Sequence, residues 1–234
     1  MLSVAAAASE VGRFVLVQPS VYGTDNGVLL DALATQPGQH RGVVVIDESI
    51  TDATLHTMNS LGVRGVRCNL VSPVGNSRVA LARLAPRLAE LGWHLQWYAT
   101  PEQLPEIAAF QDRHRITCVL DHLGGVNPAS AVQAGTWEGL RRVADGGGWI
   151  KLSGWYRLHC AAPYTELDDA IGRAAAVFDG RCVWGSDWPH TFFLEPGNTV
   201  SPPDYAQTLV PVQRALGAAP ADQVLRVSPQ LLYR

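Results

Sequence analysis

Short apolar runs rich in β-branched residues recur along the chain, at Phe14 to Gln18, Val43 to Ile46, Gly65 to Asn69, His94 to Tyr98, Thr117 to Asp121, Trp149 to Leu152 and Cys182 to Gly185. Segments with helical spacing lie between them, at 26–35, 51–61, 78–91, 101–113, 136–144 and 164–178, and another follows the last run at 203–216. Runs such as GVVVI and TCVLD are apolar without alternation, which is how strands buried on both faces of a parallel sheet read. Ser77 before Arg78 and Thr100 before Pro101 supply helix start signals, and Gly62 and Gly92 supply helix stops. The opening MLSVAAAASE reads as a helix. Repeated strand-helix units with short links predict one α/β domain over 1–234, a TIM-type barrel before an open doubly wound sheet.

Both architectures bind ligands at the C-terminal ends of their strands, so the polar residues there carry the functional reading. Almost every predicted strand delivers one: Gln18 to Thr24, Asp47-Glu48, Arg67 to Asn69, Tyr98, Asp121-His122, Lys151 to Ser153, and Asp187 to His190. The densest stretch is VWGSDWPH at 183–190. A carboxylate at a buried strand end needs a specific partner or a chemical task. Asp187 and His122 together suit general-base chemistry or a divalent ion, against the plainer alternative of a backbone-satisfied acid and a core imidazole. His190 follows Asp187 by three residues and joins the candidates. Arg67 offers a fork of donors to a carboxylate or polarised carbonyl, while Arg64 faces the other way. Thr24, beside Tyr22 on the first rim loop, and Tyr98 offer hydrogen bonds or rim packing. His40, His56, His94 and His114 read as structural or exposed, His159-Cys160 as a weak nucleophile pair, and Trp155 and Tyr156 as pocket wall or core cover.

Composition narrows the partners. The chain has 234 residues, 47% hydrophobic and 17% charged, with a formal charge of −3. Without a basic run, nucleic acid and anionic membrane are excluded as main partners, which leaves a small molecule. Four cysteines without CxxC spacing read as free core thiols. No basic leader and no bilayer-length apolar run is visible, so a cytoplasmic location is expected.

Several stretches together carry a family resemblance: VQPSVYGTDN at 17–26, GVRGVRCN at 62–69, GWHLQWY at 92–98, VLDHLGG at 119–125, IKLSG at 150–154, VWGSDWPH at 183–190 and SPQLLY at 228–233. In order and spacing the chain resembles the amidohydrolase-related ("amidohydrolase 2" type) TIM-barrel hydrolases and, within them, the 2-pyrone-4,6-dicarboxylate lactonases. The resemblance implies that Asp187 is the general base, that His122 stands near the polarised carbonyl, and that Thr24, Arg67 and Tyr98, with Tyr22 beside them, hold an acidic substrate. It implies hydrolysis of a lactone C–O bond without a metal, although many relatives bind zinc or another divalent ion. The family's first strand carries His-x-His, which this sequence lacks. The expectation is therefore a (β/α)8-like barrel of about seven strands, its gap covered by another segment or by a second copy in a homo-oligomer, and no tightly held cofactor. Pro73 and Phe192 stand where those lactonases carry a further arginine and an asparagine, which bears on a dicarboxylate substrate. The expected activity is hydrolysis of a lactone or related cyclic ester of an acidic small molecule. The alternatives are a metal-dependent decarboxylase or amidohydrolase, or a non-catalytic metabolite-binding barrel.

Overall fold

Seven parallel strands form one sheet in chain order: β1 Val15–Val17, β2 Arg41–Val44, β3 Val63–Asn69, β4 His94–Tyr98, β5 Cys118–Leu120, β6 Trp149–Ser153 and β7 Cys182–Gly185. The computed structural model describes residues 2–9, 11–71, 77–191 and 202–234, so Pro73 and Phe192 lie outside the described residues. The helices are α1 Leu2–Ala6, α2 Gly27–Thr35, α3 Asp52–Leu61, α4 Arg78–Glu90, α5 Leu104–His114, α6 Pro128–Ala131, α7 Ala134–Asp145, α8 Asp168–Phe178, α9 Val210–Leu216, α10 Ala218–Asp222 and α11 Ser228–Leu232. Ser77 caps α4 by accepting from the Ala80 N–H at 3.1 Å, and Gly62 ends α3 in the left-handed region at φ 106°. Three helices start later than their apolar spacing predicts. Pro105 and Pro211 sit in the first turns of α5 and α9, where a missing N–H is harmless, and Tyr164 at φ 63° holds the chain out of the α-helix before α8.

Side chains alternate between two cores. Val44, Val66, Trp97, Leu120 and Leu152 pack outward against the helices. Val15 and Val17 of β1 share a second cluster with Val43 of β2, Trp149 of β6, Val183 of β7 and Tyr233 from the C-terminal segment. In a flat sheet the first and seventh strands stand about 29 Å apart at the usual strand spacing. Their shared cluster therefore requires the sheet to curl on itself as a barrel does. Among the described residues β1 and β7 remain its two edges, with no ladder between them. Arg41 Nε donates to the Tyr233 carbonyl at 2.9 Å and Arg64 Nε to the Arg234 carbonyl at 2.6 Å, fastening the C-terminal segment beneath the barrel.

Above that apolar floor the interior turns polar. His94 is buried as a structural residue, seated against Gly65, where an added Cβ would lie 2.5 Å from His94 Nε2. The four cysteines are free, and three are buried. Cys160 lies half-buried on a loop beside an exposed His159, and among the described residues no hydrogen bond joins the two. Among the described residues no helix is long and apolar enough to cross a membrane.

Candidate active site

β5 ends at Leu120, and its pairing with β6 stops at Leu120 and Ile150. The chain then leaves the sheet through His122, Leu123, Gly124 and Gly125, all with positive φ, at 48°, 55°, 65° and 76°. Left-handed backbone costs an L residue roughly 1–2 kcal/mol, so His122 and Leu123 hold this turn only because their surroundings impose it. Gly125 is needed there for space, since a Cβ would lie 2.4 Å from the Ala99 carbonyl.

The turn delivers a buried His122 whose Nδ1 lies 3.2 Å from Ser153 Oγ at the end of β6. Gly154 follows Ser153 at φ 65°, and a Cβ there would come within 2.2 Å of His122 Nδ1. Tyr98, at the end of β4, meets the imidazole edge-on with centroids 4.9 Å apart. Burial holds the imidazole below its ordinary pKa; Asp187 and Asp121 oppose this, and Arg157 and Lys151 reinforce it. His122 is thus neutral at pH 7.

Asp121, one residue earlier, is buried inside the barrel. Lys151 Nζ lies 2.9 Å from its Oδ1, and Gln96 Nε2 donates to its Oδ2 at 2.8 Å. Burial raises its carboxyl, but the positive charge of Lys151, with His122, Arg67 and the Lys151 hydrogen bond, outweighs this and keeps it well below the usual range.

Asp187 follows β7 at φ 54°. Its Oδ2 accepts from the Tyr156 hydroxyl at 2.6 Å and from Arg157 Nε at 2.7 Å. Its Oδ1 faces His122 Nε2 at 4.0 Å, beyond hydrogen-bond length. Burial raises this carboxyl, but His122, Arg157 and the two hydrogen bonds outweigh it, and the group is ionised at neutral pH. Arg157 also donates to Thr191 Oγ1 at 3.2 Å, and its guanidinium carbon lies 5.0 Å from the centre of the Tyr156 ring.

The structure brings Asp187, His122 and Tyr98 together as the sequence anticipates. His190 is buried nearby with its ring edge-on to Tyr156 at 5.6 Å, and its N–H closes the Asp187 turn at 2.9 Å. Among the described residues neither ring nitrogen of His190 has a hydrogen-bond partner of good geometry. Arg67 spends much of its fork inside the protein: Nη1 donates to the Gln18 carbonyl at 3.1 Å and to Ser20 Oγ at 2.9 Å. Tyr22 and Thr24 are exposed on the loop after β1, and among the described residues no hydrogen bond of either side chain joins them to this cluster. Of the Asp187 partners, Tyr156 was read only as pocket wall or core cover, and Arg157 was not singled out. Both lie on the 3₁₀ turn Trp155–Arg157 that Gly154 opens, so the available signal was a glycine after a strand end followed closely by an arginine.

Among the described residues no three His, Cys, Asp or Glu side chains converge as metal ligands. Asp187, which faces His122 Nε2 at 4.0 Å, is already bonded to a guanidinium, and Asp121 is paired with Lys151. This donor set does not fit a tightly held divalent ion.

Comparison with known proteins bears on the same motifs. The chain is 32% identical over 191 residues to a 2-pyrone-4,6-dicarboxylate hydrolase of Comamonas testosteroni, covering 76% of this chain and 63% of that one. It is 29% identical over 192 residues to a 4-sulfomuconolactone hydrolase of Rhizobium radiobacter, covering 80% and 64%. The chain thus spans just under two thirds of the length of these curated relatives. A solved structure of a candidate 2-pyrone-4,6-dicarboxylic acid hydrolase from Pseudomonas putida superposes with a TM-score of 0.86 at 32% identity, over 99% of this chain and 85% of that one. The family model described as "Amidohydrolase" matches residues 1–200, and with the barrel-type strand order and the placement of Asp187 and His122 at its rim, the chain belongs to that amidohydrolase family.

Proposed function

We propose that the chain hydrolyses the ring ester of a lactone that carries an acidic substituent, using water and no metal. One observation carries the reading: an ionised Asp187 faces a buried neutral His122 at 4.0 Å on the strand-end rim. The two lactone-hydrolase relatives support the choice of bond. In this scheme the oxygen of a water forms the new bond to the lactone carbonyl carbon while its proton passes to Asp187. The carbonyl oxygen becomes an oxyanion and accepts a hydrogen bond from His122 Nε2, which carries hydrogen when Ser153 donates to Nδ1. Collapse breaks the bond to the ring oxygen, which leaves with the proton returned by Asp187. Tyr156 and Arg157 hold Asp187 ionised and fix the direction of Oδ1. Tyr98 and Arg67, whose Nε lacks a partner among the described residues, supply donors for the acidic substituent.

A base as strongly paired as Asp187 is a weak one, which suits an activated lactone carbonyl better than an amide. The test is turnover of 2-pyrone-4,6-dicarboxylate and of a muconolactone, followed by loss of ring absorbance in wild type and Asp187→Asn. The expected loss in kcat for the variant is roughly 100- to 10,000-fold. Equal rates in the two proteins would remove Asp187 as the base, and no turnover of either lactone by wild type would remove the reaction.

A further inference from the structure

We propose that Lys151, through its ion pair with Asp121, is the positioning residue that sets the orientation of His122. The inference deepens the lactone-hydrolase reading, on which its kinetic part rests, but its structural part stands alone. The argument begins where the sheet stops. Backbone pairing between β5 and β6 ends at Leu120 and Ile150. Two side-chain contacts continue the ladder: Asp121 with Lys151 at 2.9 Å and His122 with Ser153 at 3.2 Å. Lys151 and Ser153 are two apart on β6 and so share the inward face, as the period of a strand requires. The upper contact is one neutral hydrogen bond to a group on a left-handed turn. The lower one is an ion pair in the barrel interior, with 13% of the lysine side chain and 3% of the aspartate side chain exposed.

The four residues of positive φ begin one step beyond Asp121. Asp121 is the entry to that turn, and Lys151 Nζ stands 2.9 Å from one of its oxygens while Gln96 of β4 donates to the other at 2.8 Å. Gln96 and Lys151 come from the two strands flanking β5, so the carboxylate is held from both sides of its own strand. Gly185 on β7 keeps the space in which Lys151 reaches across, since a Cβ there would lie 3.2 Å from Lys151 Cε. Removing either charge leaves its partner buried and uncompensated, and the resulting shift falls first on the residue that follows Asp121. That residue is His122.

The experiment is ring ¹⁵N NMR of His122 in the full chain, assigned by loss of the signal in His122→Gln. The spectra are recorded from pH 5 to 9 for wild type, Lys151→Met, Lys151→Arg and Asp121→Asn. Asp187, Asp121, Arg157, Lys151, Tyr98 and Ser153 all face the ring, and only the Lys151–Asp121 pair is changed. In wild type the two nitrogens are expected to show one fixed tautomer. In Lys151→Met and Asp121→Asn they are expected to move to averaged shifts, while Lys151→Arg, which keeps the pair, returns the wild-type pattern. If Lys151→Met does not fold, Asp121→Asn and Lys151→Arg decide alone. Wild-type shifts in Asp121→Asn overturn the proposal, as does averaging in Lys151→Arg equal to that in Asp121→Asn. On a turned-over lactone, Asp121→Asn should lower kcat roughly 10- to 100-fold with KM within about twofold, as misplacement of a reacting group does. A wild type inactive on lactones defeats the reaction assignment and leaves the NMR outcome intact.

Discussion

At the scale of single residues, Gly154 separates two effects that are usually confounded. Its φ of 65° penalises any side chain, and its missing Cβ makes room for His122 Nδ1, which would otherwise be 2.2 Å away. Gly92 has a similar φ of 70° but nothing within 4 Å of an added Cβ. Alanine at 92 should therefore cost only the left-handed strain, about 1–2 kcal/mol, and leave turnover unchanged. Alanine at 154 should cost that and also push the imidazole off Ser153, lowering lactone turnover at least about tenfold. Urea unfolding and kcat for the two variants give the comparison, and equal activity in both would mean that the close approach of Gly154 to His122 has no catalytic consequence. The same residue marks the limit of sequence reading. Asp187 and His122 were legible because each follows an unbroken apolar strand. The bonds of Tyr156 and Arg157 to Asp187 were not, because these residues reach Asp187 only after Gly154 turns the chain back over the barrel, and a left-handed residue leaves no periodic trace.

At the scale of elements, apolar spacing located every strand and most helices to within a few residues. β4 and β7 have the predicted limits, since tight runs bounded by polar residues leave little choice of register. Helix starts were read less well where capping competes with spacing. The prediction of a helix from Pro101 met a 3₁₀ turn at Pro101–Gln103 before α5, in which the Gln103 side chain accepts from the Thr100 N–H at 3.0 Å. Where the cap is a simple hydroxyl, spacing and structure agree. Ser77 Oγ accepts from the Ala80 N–H at 3.1 Å and opens the thirteen-residue α4, whose Leu81, Leu84 and Leu88 are buried. Ser77→Ala should lose about 1 kcal/mol, a lowering of Tm by roughly 2–4 °C for a chain of this size, with turnover unaffected. A calorimetric scan that finds no change in Tm would show that α4 is held by packing alone.

At the scale of the whole molecule, the barrel interior is layered, with an apolar floor closed by Tyr233, a polar middle of His94, Gln96, Asp121 and Lys151, and the Asp187–His122 rim above. The sequence placed polar residues at the strand ends, but did not show that a middle layer would hold ionisable groups away from water. That layering makes stability depend on pH in a direction that can be worked out. Burial, reinforced by Lys151, pushes the His94 imidazole down to about 3, against the opposing influence of Asp121. A folded pKa below the unfolded value means that between about 6.5 and 3 the unfolded chain binds a proton that the folded chain refuses. The stability that the neutral His94 contributes is therefore complete above about pH 6.5 and is lost steadily as pH falls through that window. His40, His122 and His190 are shifted in the same direction by burial and add to the slope, while Asp121 and Asp187, both depressed, extend the loss to lower pH. Replacing one histidine should remove one proton's share, at most about 1.4 kcal/mol per pH unit. Phenylalanine at 94 keeps a planar ring against Gly65 and Tyr233, whose ring centroid lies 5.5 Å from that of His94, and has nothing to protonate. Urea unfolding free energies of wild type and His94→Phe at pH 7.5, 6, 5 and 4 should diverge on acidification, the variant falling less steeply. Parallel slopes would mean that the interior admits a proton at His94 near its ordinary pKa, and the polar middle of the barrel would then be wetter than its burial indicates.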